Sequence, residues 1–103
     1  HRQRRDATVA TVDAIPGLSV TAPAGAFYLF PSCAGLLGAT APGGRVLRTD
    51  EEFVLFLLDT EGVATVHGGA YGLSPHFRMS FATGADVLAE ACERIAKAVA
   101  TLS

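Results

Sequence analysis

Glycine and proline set the limits of what this chain can fold into. Pro16-Gly17, a Pro/Gly break at residues 23–25, Pro31, the glycines and proline among residues 35–44, Gly62, and three glycines with a proline in residues 67–75 divide the 103 residues into short segments. Each break removes a backbone donor or admits a conformation that ends regular structure. No continuous apolar stretch approaches the roughly 20 residues of a membrane span, and no internal repeat is present. Short helices and strands must therefore bury one another around a single core. A domain of this size buries about two-thirds of its unfolded surface.

Between the breaks the hydrophobic periods are readable. Val9, Val12 and Ile15 recur at helical spacing and predict a helix that runs to the Pro16-Gly17 stop. It has no capping residue ahead of it, so it is expected to be the downstream half of a longer helix. Residues 18–20 predict a short strand, and the apolar run 26–30, closed by Pro31, predicts a buried one. Residues 32–48 predict a loop with a helical turn at 34–37. Thr49, followed by Asp50, Glu51 and Glu52, predicts a capped helix to about Glu61, with Phe53, Val54, Leu57 and Leu58 as its apolar stripe and Gly62 as its stop. Residues 63–66 predict a strand and 67–75 a loop. Phe77, Met79 and Phe81 then alternate with Arg78, Ser80 and Ala82, as in a strand. Thr83 with Asp86 repeats the capping pattern and opens a last helix, in which Leu88, Ala91, Ile95, Val99 and Leu102 keep core spacing. The order α-β-β-α-β-β-α predicts an α+β fold, a short sheet covered by helices, as one domain over 1–103.

Charge narrows the function classes. A net charge of −2, with cations scattered apart from the first residues, argues against a nucleic-acid partner. Only 17% of residues are charged, which fits either alanine content or faces that dock against another body. Cys33 and Cys92 make neither a disulfide framework nor a metal site by spacing; they are expected to be packing thiols in a reducing cytoplasm. His67 and His76 sit at no recognised ligand interval, so no metal is expected. The loop 67–72 resembles a phosphate cradle superficially, but it lacks the Lys-Ser/Thr end and is better read as a turn-rich connection. Lys97, the only lysine, falls opposite the apolar stripe of the last helix and should face solvent, whereas a lysine bound to an aldehyde needs a desolvated pocket. Arg78, between Phe77 and Met79, must reach water, pair with an acid such as Asp59 or Glu61, or bind a ligand carboxylate or phosphate. The residues alone leave these three open.

The segments Ala14-Ile15-Pro16-Gly17, Pro23-Ala24-Gly25-Ala26-Phe27-Tyr28-Leu29-Phe30-Pro31, Thr49-Asp50, Glu61-Gly62-Val63-Ala64 and Gly72-Leu73-Ser74-Pro75-His76-Phe77-Arg78-Met79-Ser80-Phe81-Ala82 follow in an order that resembles the C-terminal small domain of class I pyridoxal-phosphate (PLP) aminotransferases, the aspartate aminotransferase family. The resemblance implies an enzyme that moves an amino group between an amino acid and a 2-oxo acid, with PLP as electron sink, acting as a homodimer. It implies that Arg78 binds the substrate's α-carboxylate and that residues 67–72, with His67, Gly68 and Tyr71, lie near the active-site mouth. His67 stands where the family usually has Pro. Phe27 and Tyr28 match the strand that lines the small domain, as core first and pocket wall second. The cofactor-bearing lysine, the acid at the pyridine nitrogen and the phosphate-binding residues belong to the family's large domain and match nothing here. No catalytic residue is therefore expected in 1–103, and the isolated chain should bind no PLP and show no turnover. Two other readings use the same residues: a non-enzymatic α+β module that captures an amino acid through Arg78, and a structural domain in which Arg78 is salt-bridged.

Overall fold

A computed structural model describes residues 2–20, 28–80 and 84–103, without the side chains of 2–5. The expectations for Phe27, Phe81, Ala82 and Thr83 fall outside the described residues. Three helices, α1 (Arg2–Asp13), α2 (Asp50–Glu61) and α3 (Ala85–Val99), pack around a three-stranded antiparallel sheet of β1 (Tyr28–Leu29), β2 (Val66–His67) and β3 (Phe77–Ser80). The strand order is β1-β3-β2, so β3 is hydrogen-bonded on both edges. Tyr28 pairs with Ser80 and Leu29 with Met79 on one side; Val66 pairs with Arg78 and His67 with Phe77 on the other.

The fold class is α+β as expected, but the order of described elements is not. Residues 18–20 do not form a strand. Ser19 and Ser32 exchange a single bridge, and the next amide, Val20 N–H, donates instead to Asp13 Oδ1 at 2.9 Å, which takes it out of any ladder. The third predicted strand, 63–66, also starts late. Residues 63–65 leave α2 as irregular chain, and pairing begins at Val66. Four strands thus become three among the described residues.

Local signals place α2 well. The Thr49 hydroxyl accepts from Glu52 N–H at 3.2 Å, while the Glu52 carboxylate reaches one residue further back than a capping box requires and accepts from Arg48 N–H at 2.9 Å. Gly62 ends the helix in the left-handed region (φ 68°), where a side chain would be strained. The apolar stripe is rotated from the expected one: Phe56 is buried and Leu58 exposed. At about 100° per residue, Phe56 lies about 60° from Phe53 and Leu58 about 140°, outside the arc that faces the core. The α3 cap also differs, since the N-cap residue is Gly84 and no side chain caps the helix. Leu88, Cys92, Ile95, Ala98 and Val99 are buried along α3 and meet Val12, Leu29, Phe53, Leu57 and Phe77 in one core. Lys97 is 75% exposed in its side chain, with its ammonium 4.0 Å from Glu61. Among the described residues no helix is long and apolar enough to cross a membrane.

Candidate functional site

The alternation in β3 decides where its cation goes. Phe77 and Met79 are buried, so Arg78 and Ser80 belong to the opposite face of the sheet. Tyr28, paired with Ser80, shares that face. Its expected place in the core is therefore corrected: Leu29 is buried and Tyr28 is 39% exposed. An unbroken apolar run cannot tell which of its alternate residues turn outward. Tyr28 instead sets its ring 4.4 Å from the guanidinium carbon of Arg78. A second ring, Tyr71, comes from the 3₁₀ turn Gly68–Tyr71 and lies 5.1 Å from the same carbon. Phe30 meets Tyr71 edge to face, with centroids 6.1 Å apart and planes at 84°.

Arg78 is half-buried among these aromatic groups. The acids proposed as its structural partners are engaged or distant: Glu61 faces Lys97, and Asp59 is exposed on α2. Among the described residues no carboxylate lies within ion-pair distance of Arg78. The two rings offer π faces to its charge but no lone pairs to its planar N–H donors. Such a fork matches the paired oxygens of a carboxylate or phosphate.

The turn that carries Tyr71 is held by a side chain that sequence reasoning missed as part of the site. Asp50, the first residue of α2, is only 3% exposed. Its Oδ2 accepts from Gly69 N–H at 2.8 Å, and its Oδ1 accepts from the Ser74 hydroxyl. Burial opposes ionisation of this carboxyl, yet the Ser74 and Gly69 hydrogen bonds, its own backbone N–H and nearby His67 outweigh it, so the group titrates below its ordinary value of 3.8. An acid at a helix start is already explained by the dipole, and no local pattern marks it as a tertiary staple.

Gly68 is buried and its backbone approaches other backbone: its N–H donates to His76 O at 2.6 Å, and its carbonyl accepts from Leu73 N–H at 2.8 Å. A Cβ at Gly68 would collide with the carbonyl oxygens of both His76 and Leu73. His67 pairs with Phe77 and so points to the helix side of the sheet, toward Asp50 and Gly69, away from Arg78. The structure thus brings Arg78 together with Tyr71 and Tyr28. It places His67 and Gly68 in the support of the turn.

Cys33 and Cys92 are buried packing thiols, as expected. Cys33 Sγ donates to Pro75 O at 3.0 Å, and burial, then the negative charge of Asp50, push its pKa up to about 12. Among the described residues no three potential metal ligands cluster. A cavity of about 320 Å³ lined by Val63, Thr65, Met79, Leu88 and Arg94 includes none of Arg78, Tyr28 or Tyr71.

Comparisons with known proteins identify the family. A family model described as aminotransferase class I and II matches residues 1–95. A probable aspartate/prephenate aminotransferase of Rhizobium leguminosarum bv. phaseoli is 54% identical over 89% of this chain and 23% of its own length. The crystal structure of the aspartate aminotransferase from Rhizobium meliloti superposes with a TM-score of 0.95 at 49% identity, over 99% of this chain and 26% of that one. An alanine aminotransferase from Pyrococcus furiosus gives a TM-score of 0.79 at 35% identity, over 96% and 23%. The chain spans about a quarter of the length of the curated relatives it matches. On a family match over nearly all of its residues, the chain belongs to the class I and II aminotransferases.

Proposed function

We propose that this chain is the C-terminal small domain of a PLP-dependent aminotransferase, a transferase acting between an amino acid and a 2-oxo acid, and that Arg78 anchors the substrate's α-carboxylate. One observation carries the reading: a strand-borne guanidinium with aromatic rings on it and, among the described residues, no acid to neutralise it. A fixed planar fork receives a carboxylate through two N–H donors and thereby sets the orientation of the rest of the substrate. The names of the Rhizobium relatives support aspartate as the amino acid.

PLP supplies the electron sink in this family. The residues of this chain do not fit the cofactor: the one lysine, Lys97, is exposed on α3 beside Glu61, where nothing desolvates its amine. Holding the cofactor and moving protons are assigned to the large domain of the same polypeptide, and the active enzyme is assigned to a homodimer in a reducing cytoplasm. The part played by 1–103 is to bind and orient substrate.

In the full-length enzyme, Arg78→Ala should lower kcat/KM for aspartate by the worth of a hydrogen bond to a charged group, about 1.5–3 kcal/mol, or about 10- to 150-fold. Unchanged kinetics would contradict the anchor. Calorimetric titration of amino acids into isolated 1–103 separates this from a free-standing amino-acid-binding module. Silence supports the domain of an enzyme, and millimolar or tighter binding supports the module.

A further inference from the structure

We infer that Tyr28 and Tyr71 are positioning residues that hold the Arg78 guanidinium in place before a carboxylate arrives; the inference rests on Arg78 being the anchor. Arginine loses about 2 kcal/mol of rotamer freedom when fixed. If that freedom were lost only on binding, it would subtract from affinity. Here two rings at 4.4 and 5.1 Å confine the group, and they reach it from separate elements, β1 and the 68–71 turn. Tyr71 is itself braced by an edge-to-face contact with Phe30. A ring face attracts the cation without competing for its in-plane N–H donors. The clamp restrains the fork and leaves its binding edge free.

Each ring is worth about 2- to 5-fold in substrate affinity by the usual strength of an exposed cation–π contact. The test uses full-length holoenzyme with aspartate as substrate and compares Tyr28→Leu, Tyr71→Leu, the double Leu variant, the matching Phe variants and Arg78→Lys. Each Leu variant is expected to raise KM about 2- to 5-fold and the pair about 5- to 30-fold, with kcat held within about twofold and the melting temperature unchanged. Each Phe variant should restore KM to within about twofold of the parent, because the ring face is retained. Should a Leu variant fail to fold, the Phe variants and a Tyr→Gln pair carry the same comparison of ring against no ring. Arg78→Lys separates the two layers of the argument. If it leaves KM unchanged, the anchor itself is wrong. If it raises KM at least tenfold while the Leu variants match the parent, the anchor stands and the clamp is overturned. Phe variants as impaired as Leu variants would also overturn it, since the hydroxyls rather than the ring faces would then be at work.

Discussion

Removing the Asp50 carboxylate should loosen the turn that carries Tyr71 while leaving the rest of the domain in place. Asp50→Ala deletes two acceptors at once, one for Gly69 N–H at 2.8 Å and one for the Ser74 hydroxyl. Hydrogen bonds to a charged group contribute about 1.5–3 kcal/mol each, but Gly69 and Ser74 are exposed enough to find water, so their loss together is set at about 2–3 kcal/mol. Loss of an acid from the first turn of α2 adds a few tenths. Local opening of residues 68–75 therefore becomes easier by about 2–3 kcal/mol, which speeds amide exchange there by about 30- to 150-fold. Hydrogen exchange read by mass spectrometry on the full-length protein checks this. The peptide spanning 68–76 should accelerate, and peptides from α3 should not. Asp50→Asn should recover more than half of the protection, because its carbonyl can still accept from Gly69 and its amide can donate to Ser74. The pH dependence has a definite sign. A carboxyl whose folded value lies below its ordinary 3.8 contributes its stabilisation fully above about pH 4 and loses it as pH falls through that lowered value. Protection of the turn in the parent, taken against the intrinsic exchange rate at each pH, should therefore fall in that acid window, while in Asp50→Asn it stays flat. Equal protection in parent and Asp50→Ala at neutral pH would refute the staple.

Gly68→Ala should destabilise the protein by about 2 kcal/mol or more in denaturant unfolding, because the added Cβ meets two carbonyl oxygens fixed by hydrogen bonds. Gly69→Ala, whose Cβ meets only side-chain atoms of Asp50 and His67 at 3.3 Å, should cost less than half as much; the reverse ranking would contradict the packing. Cys33, with its pKa near 12, should resist iodoacetamide at pH 8 in the native protein and react once urea unfolds it, as peptide mapping would show; rapid native labelling would be inconsistent with its burial.

The elements that sequence located best are those whose ends carry their own chemistry. Thr49 and Gly62 bracket α2 with a hydroxyl cap and a left-handed stop, both local, and the structure keeps both. The alternation of residues 77–80 likewise separates core from surface without help from the rest of the chain. What escaped depends on partners distant in sequence. Residues 18–20 look extended, but Asp13 captures the amide that a strand would use. Tyr28 sits in a run with no polar residue, so nothing in the run says which ring turns outward onto Arg78. Asp50 carries a sufficient local explanation as a helix-start acid, and its second role appears only when residues 69 and 74 fold back onto it. His67 lies one residue from Val66, the partner of Arg78, and that single step of the pleat sends it to the other face.

The central place of β3 has a mechanical consequence. Arg78 is mounted on a strand laced to a neighbour along each edge, and the residues on either side of it, Phe77 and Met79, are driven into the core, Phe77 with its ring 5.3 Å from that of Phe53 on α2. A ligand that pulls on the guanidinium pulls on sheet and helix together. The side chain can swivel, but its root cannot yield by itself, so if Arg78 holds the substrate as proposed, any travel of that substrate larger than a rotamer change is travel of the whole domain.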